Sequence, residues 1–342
     1  MAQTMESDLV NGQPRQASEG RKPYKVLFVI PGDGTGTPMV FVRRQVRSLQ
    51  QAGVDSHIFY LTSRTAPWVI WTCGKMLRQE IHRLQPDIVH AQYGTMTALV
   101  CALVVKKPLV ITYRGSDLNP SIGLSWIRSA TGKVCSQIAA LAARHIICVS
   151  SQLRERLWWR KKRVTVIPNG VDTTIFHPRR QQDVRQELGW DLDERIVLFN
   201  AGNGATGKRQ DLVEGGVEVA RRICGNIRLV VLSGNIDPGE IPDFMNGADC
   251  LIMASDWEGS PNIVKEALAC NLPVVSVDVG DAREHLEQVT PSIIVSRAPE
   301  AIGRATAEIL TDRKRAIGFE YIEQKLSLPV VAQRILTVYG SK

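Results

Sequence analysis

Residues 255–273 read Ser255-Asp-Trp-Glu-Gly-Ser-Pro-Asn-Ile-Val-Lys-Glu-Ala-Leu-Ala-Cys-Asn-Leu-Pro273. The stretch follows an apolar run, passes through a Gly-Ser-Pro-Asn turn and enters a helix near Pro261 that closes at Asn271. Proline is pre-shaped for the first helical position, and asparagine tolerates the left-handed conformation that ends a helix. An apolar strand feeding a helix through a short turn is the repeating unit of a parallel α/β sheet. Such a turn also leaves the backbone N–H groups of Gly259, Ser260, Asn262 and Ile263 free for anionic or hydroxyl-rich groups. Glu258 stands in the turn and Glu266 about one helical turn inside. Two carboxylates so placed can accept hydrogen bonds from two separate sets of hydroxyls. From the glutamates alone, a solvated turn and an ordinary exposed helix residue remain equally open.

Working outward, short β-branched runs alternate with longer helical stretches throughout, again the pattern of parallel sheets. Strands are expected at 25–30, 57–61, 87–92, 108–113, 145–150 and 164–167. A second set is expected at 195–201, 227–233, 249–254, 273–277 and 292–295. A chain of 342 residues fits two domains better than one. The expected division is a disordered polar leader at 1–22, a first domain at 23–175 and a linker at 176–189. A second domain follows at 190–325, and an amphipathic helix at 326–342 can pack back on the first. Two such sheets in series leave a cleft at the carboxyl ends of their strands, where ligands bind.

Composition narrows the classes. No apolar run reaches the ~20 residues that span a bilayer, and the leader lacks the apolar core of an export signal. The seven cysteines are scattered, without a Cys-x-x-Cys pair, which argues against a disulfide framework or a zinc site. The net charge of +8 is uneven: residues 1–176 carry 23 Lys and Arg against 10 Asp and Glu, the remainder 19 against 24. The first half should therefore face something anionic. No nucleic-acid recognition module accompanies that charge.

Other segments are read against plainer alternatives. Gly202-Asn-Gly-Ala-Thr-Gly-Lys-Arg209 sits at a strand end, where a Gly-rich turn can approach phosphates and Lys208 or Arg209 can neutralise them; a simple helix entry is the bland reading. Its spacing is not that of a P-loop. Pro31-Gly-Asp-Gly-Thr-Gly-Thr-Pro38 follows the first strand, and its glycines permit close backbone approach to a ligand. The next strand lacks the terminal acid that a dinucleotide site wants. Tyr113-Arg-Gly-Ser-Asp117 can aim Arg114 and Asp117 into the cleft or use them to brace the loop. Trp158, Trp159, Arg160, Lys161, Lys162 and Arg163 combine aromatics and cations in a way suited to an anionic bilayer interface; the alternative is a surface helix end with the tryptophans tucked under. Asp191-Leu-Asp193 is read as a surface turn, and His90 and His145 as packed strand residues. No metal site is expected.

Together these motifs carry a resemblance. Glu258-Gly-Ser-Pro-Asn…Glu266 resembles the E-x7-E signature of glycosyltransferase family 4, the retaining enzymes of the GT-B fold. Val166-Ile-Pro-Asn-Gly-Val-Asp172…Phe176-His-Pro178, Met245-Asn-Gly-Ala-Asp249 and Asp278-Val-Gly-Asp-Ala-Arg-Glu284 resemble the family's further motifs, in order, over roughly 24–340. Within the family the chain is most similar to polysaccharide- and teichuronic-acid-type transferases. The resemblance implies two Rossmann-like domains facing across a cleft. It also implies transfer of a sugar from a UDP- or GDP-sugar to a saccharide or lipid-linked acceptor, with no further cofactor and no metal. Its roles would be catalytic for Glu258, Lys208 and Arg209. Donor binding would fall to Glu266, Gly259, Ser260, Pro261, Asn262, Ile263, Gly34, Thr35, Gly36 and Asn203, and sugar or acceptor contact to Arg114 and Asp117. Asn203 stands where the family has an arginine, and Arg114 where it often has histidine. Those departures motivate an alternative, a sugar-nucleotide-binding or membrane-scaffold protein that has lost turnover. A cytoplasmic place, with peripheral contact at the inner face of the membrane, completes the expectation.

Overall fold

The computed structural model describes residues 23–35, 39–62, 67–120, 125–202, 206–234 and 236–341. The leader at 1–22, Gly36 and Asn203 lie outside the described residues. In the first half, strands β1 (Lys25–Pro31), β2 (Asp55–Leu61), β3 (Ile88–Ala91), β4 (Leu109–Tyr113), β5 (His145–Cys148) and β6 (Val164–Val166) alternate with α1 (Val40–Gln51), α2 (Pro67–Leu84), α3 (Thr95–Val104), α4 (Trp126–Ala142) and α5 (Ser151–Glu155). After α6 (Gln181–Leu188), the second half runs β7 (Arg195–Gly202), α7 (Gln210–Cys224), β8 (Ile227–Ser233), α8 (Ile241–Gly247), β9 (Cys250–Met253), α9 (Asn262–Ala269), β10 (Val274–Val277), α10 (Ala282–Leu286), β11 (Ile293–Val295) and α11 (Pro299–Asp312). Helices α12 (Phe319–Leu326) and α13 (Leu328–Gly340) close the chain.

Both sheets are parallel, in the orders β2-β1-β3-β4-β5-β6 and β11-β10-β9-β7-β8. Each order reverses once, between β1 and β3 and between β7 and β9, and those switch points open crevices at the strand carboxyl ends. Strands buried on both faces read as continuous apolar runs. In β1, Leu27 and Val29 pack with α2, α3 and α4, while Val26, Phe28 and Ile30 pack with α1 and α13. The second sheet is likewise filled from both sides.

Helix α13 thus completes the core of the first domain, although it follows the second. His90 is part of that closure. Its Nδ1 lies 2.6 Å from the Tyr339 hydroxyl and its Nε2 2.7 Å from Thr112 Oγ1, and burial drives its pKa down to about 3, so it is packed and neutral. The stretch at 176–189, read as a linker, contains α6 instead. Val184 and Arg185 of that helix are buried, and Phe176 already sits in the second core. The chain crosses between domains nearer Asn169 and Gly170, since Ile167 belongs to the first core and Val171 to the second. It returns at Ser327, where Val171 and Leu328 bond side by side: Val171 N donates to Leu326 O at 2.8 Å and Leu328 N to Val171 O at 2.9 Å. All seven cysteines are free thiols, six of them buried.

Candidate active site

The loops after β7 and β9 flank the switch point of the second sheet, and they bring two sequence-distant groups together. Lys208 Nζ donates to Glu258 Oε1 at 2.6 Å, with both side chains largely but not wholly buried. The pair lies on the wall of a cavity of about 870 Å3 between the domains. Gly207, Trp257 and Gly259 line the same side. Opposite stand Tyr93, Thr95, Gly115, Ser116 and Asn119 from the loops after β3 and β4, and Ile127, Thr131 and Cys135 from α4.

The two walls touch. Asn119 Nδ2 donates to the carbonyl of Glu258 at 2.9 Å. Gly259 lies so close to the first domain that a Cβ on it would fall 1.9 Å from Arg114 O. Gly115, at φ +149°, meets it from the other side. Glycine is needed at this contact because the backbones themselves are the surfaces in contact. Arg156, from the end of α5, stacks its guanidinium 4.9 Å from the Trp257 ring and spans the same boundary.

Several expected roles are redirected. Ser260, expected to offer a ligand its amide, turns its hydroxyl inward, where it donates to Asp281 Oδ2 at 2.6 Å while accepting from Lys265 Nζ. Lys265 is fully buried, and the His285 ring, 3.1 Å from Asp281 Oδ2, closes the cluster. Burial alone would raise the Asp281 carboxyl, but Lys265, His285 and Ser260 together hold it below its ordinary range. Burial lowers the Lys265 ammonium. This buried set braces the turn that carries Glu258, and a lysine inside Ile263-Val-Lys-Glu-Ala-Leu268 was its only sequence signal.

Asp117, expected in the cleft, is buried and accepts from the amides of Gly94, Arg114 and Gly115 at 2.8 to 3.1 Å. Three amide donors, two in its own loop and Gly94 at the start of α3, satisfy it, so it braces the wall, the second of the two uses its loop allowed. Arg114 is also buried, and burial lowers its pKa to about 10. Its guanidinium donates to Gln92 O, Gln45 Oε1, Gln92 Oε1 and Asn169 Oδ1. Asn169 Nδ2 in turn donates to Asn262 Oδ1 at 3.1 Å. Arg114 therefore ties α1, β3 and the crossing segment to the start of α9; these bonds take four of its five side-chain N–H donors, and the residue also borders the cavity.

Arg209, the candidate substitute for the missing arginine, is claimed by Asp211 at 2.8 Å and Asp256 at 3.3 Å, and does not line the cavity. Gly34 and Thr35 line a separate cavity of about 150 Å3 with Tyr60 and Thr62, and Thr35 is bonded to Asp33 through both its amide and its hydroxyl. Pro261 and Ile263 are buried against the second core, so only their backbone remains for a ligand.

Glu266 is half-buried and lies apart from the 870 Å3 cavity. Four residues beyond Asn262 place it about 6 Å down the helix. Burial raises its carboxyl to about 7, and Arg44 of α1 followed by Lys265 moderate the shift. Glu258 and Lys208 thus meet at the cavity, while Glu266 faces the first domain further along the boundary. The tryptophan pair divides as well: Trp158 is exposed, whereas Trp159 is half-buried and donates from Nε1 to Gln137 O at 2.7 Å.

Two parallel-sheet domains closing over paired switch points, with a lysine and a glutamate at the shared cavity, define a protein of the GT-B fold. Comparison with known proteins agrees. The model of "Glycosyltransferase Family 4" matches residues 22–175 and that of "Glycosyl transferases group 1" residues 191–312. The chain belongs to glycosyltransferase family 4. Among relatives, a teichuronic acid biosynthesis glycosyltransferase of Bacillus subtilis is 24% identical over 65% of this chain and 61% of its own length. A 2-deoxystreptamine N-acetyl-D-glucosaminyltransferase of Streptomyces fradiae is 31% identical over 68% and 64%. The chain thus spans less than two thirds of these relatives. Sucrose-phosphate synthase of Thermosynechococcus elongatus shares the fold with a TM-score of 0.73 and 16% identity, covering 92% of this chain and 98% of that one. The Anabaena HepE protein, in complex with UDP and glucose, does so with 0.72 and 16%, covering 93% and 100%.

Proposed function

We propose that the protein is a retaining glycosyltransferase that moves a sugar from a UDP- or GDP-sugar to a saccharide or lipid-linked acceptor in cell-surface glycoconjugate synthesis. The observation that carries this reading is the Lys208–Glu258 pair on the cavity wall at the β7/β9 switch point. In the reaction the bond between the anomeric carbon and the diphosphate oxygen breaks, and its electron pair stays on the phosphate. The acceptor hydroxyl attacks from the same face and its proton passes to the departing phosphate. No strong protein base is needed, which fits a site without a serine–histidine set. Lys208 meets the charge that develops on the diphosphate, and Glu258 holds the transferred sugar. Catalysis is then positioning and charge stabilisation, without a metal or cofactor. Glu266 takes the ribose hydroxyls, and the amides of Gly259, Ser260, Asn262 and Ile263 take the sugar and distal phosphate.

A bound UDP and glucose in the Anabaena relative supports the donor class. A thermal-shift series with UDP-, GDP- and ADP-sugars identifies the donor, since a bound ligand raises stability by mass action. Turnover of that donor follows, with the anomeric configuration of the product read by NMR. No stabilisation and no turnover with any donor would sink the reading; an inverted anomer would sink the retaining step alone. Tight binding without turnover would favour the scaffold alternative, which the pairing of Arg209 with two aspartates keeps in play.

A further inference from the structure

Helices α2, α3 and α4 form one outer layer on the first sheet, because their inward residues share a single core with Leu27, Val89 and Ile111. A surface helix normally turns polar residues outward. Here two of the three do not. In α2, Trp68 and Trp71 are 72% and 64% exposed, and Lys75 and Arg78 continue the same face at helical spacing. Lys75 Nζ sits 3.5 Å over the Trp71 ring. In α4, Trp126, Val134, Ile138 and Leu141 make an exposed apolar stripe along about 25 Å of helix, with Trp126 at 78%. The opposite side of α4, from Cys135 to Ala140, is already buried against its neighbours. The stripe is therefore surplus to the fold.

The 158–163 segment continues this face, since Trp158 N donates to Gln137 Oε1 and Arg160 donates to the carbonyls of Leu141 and Ala143. Charge is equally one-sided. Between residues 67 and 163 the sequence holds 15 Lys and Arg, of which Arg114 is buried, against four acids, Glu80, Asp87, Asp117 and Glu155, of which Asp117 is buried. Lys106 and Lys107 stand exposed at the end of α3 beside Leu103. Exposed tryptophans ringed by cations match the headgroup region of an anionic bilayer, where aromatic rings and basic side chains each find their preferred depth. No helix among the described residues is long and apolar enough to cross a membrane.

We infer that the α2–α3–α4 layer, continued by residues 158–163, is a single docking face for an anionic lipid surface. Its place relative to the cavity gives it purpose. The first turns of α4 expose Trp126 outward and line the interdomain cavity with Ile127, Thr131 and Cys135. An acceptor held by a lipid would thus reach the cavity along the helix that rests on the bilayer. This deepens the transferase reading by favouring a lipid-linked acceptor, but vesicle binding and donor turnover are measured separately, so either can fail alone.

The test uses the full chain with vesicles of phosphatidylcholine, with and without 30 mol% phosphatidylglycerol. Sedimentation should capture the protein on the anionic vesicles, at least tenfold more weakly at 0.5 M than at 0.1 M salt, and poorly on neutral ones. The triple variant Trp68→Ser, Trp71→Ser, Trp126→Ser should bind at least tenfold more weakly with its melting temperature kept. Brominated lipids should quench the tryptophan emission of the parent protein on vesicles, a readout that stands even if the variant misfolds. Equal binding to neutral vesicles, a well-folded variant that binds like the parent, or unquenched emission would each overturn the inference. So would concentration-dependent dimerisation that the triple variant abolishes while vesicle binding stays absent, since a second copy would then own the face.

Discussion

Replacing Gly259 with alanine should separate the two walls of the site without unfolding either domain. The added Cβ would lie 1.9 Å from Arg114 O and 2.8 Å from Gly115 Cα, where ordinary contact begins near 3.4 Å. The obstacle is backbone on the far side, so no side-chain rotation relieves it. The domains would have to part locally by about 1.5 Å, stretching the 2.9 Å bond from Asn119 to Glu258 O past hydrogen-bond range. A misplacement of about 1 Å at a reacting centre can reduce turnover about a hundredfold. The Gly259→Ala variant is therefore expected to lose at least a hundredfold in kcat/KM for donor turnover. Its melting temperature should stay within about 2 °C, because the clash lies between cores and not inside one. Small-angle scattering should report a slightly larger radius of gyration. Parent-like turnover would refute the claim that this backbone contact sets the reactive geometry; a melting temperature lower by more than about 5 °C would show that the glycine serves one domain's own packing.

Steady-state kinetics and calorimetry together separate the two glutamates: Glu258→Gln should lower kcat at least a hundredfold with donor Kd within about threefold, and Glu266→Gln should raise Kd about tenfold with a smaller change in kcat. On the proposed role of ionised Glu266 as acceptor of the ribose hydroxyls, the rise of its carboxyl to about 7 should make donor affinity, measured by calorimetry, up to about tenfold weaker at pH 6 than at pH 8, and flat in Glu266→Gln. Stability runs the other way. A carboxyl raised in the folded state holds protons that the unfolded chain releases, so its contribution falls as pH rises from 4.5 through 7. Thermal melts of Glu266→Gln should thus match the parent near pH 5 and exceed it at pH 8, by about 1 kcal/mol given partial solvent access. Lys265→Met takes the buried ammonium from beside Asp281, leaving it Ser260 and His285, and should destabilise by about 3 kcal/mol in denaturant titration. Adding Asp281→Asn should restore part of that loss; a further additive loss would mean that the two charges are not a pair.

The eleven strands among the described residues were legible because β-branched runs bounded by turns have few other ways to fold; β8 has its expected bounds and the others lie within a residue or two of theirs. The 176–189 stretch misled for a physical reason. Gln181-Gln-Asp-Val-Arg-Gln-Glu-Leu188 is polar enough to read as a linker, yet Val184 at its centre is enough to anchor a short helix. Motif spacing put Glu258 and Lys208 each in a turn after a strand, and the two turns flank one switch point. It could not foresee which way Arg114, Asp117 and Ser260 turn, because direction depends on partners such as Gln45, Gly94 and Asp281 that are distant in sequence. The outward tryptophans of α2 and α4 were equally hidden. An apolar helix residue reads the same whether a sheet covers it or nothing does.

The paired crossings at Val171 and Ser327 bear on how the protein can move. A lone tether would let one lobe swivel in any direction about the other. Two strands bonded flank to flank, anchored on one side by the last helix, leave a single axis like that of a door. Any opening of the cavity would be steered toward one arc, and the arrangement seen here, with Asn119 bonded to the Glu258 carbonyl, is its shut end. Cutting either crossing would take that shared axis from the two lobes and leave the latch without its register.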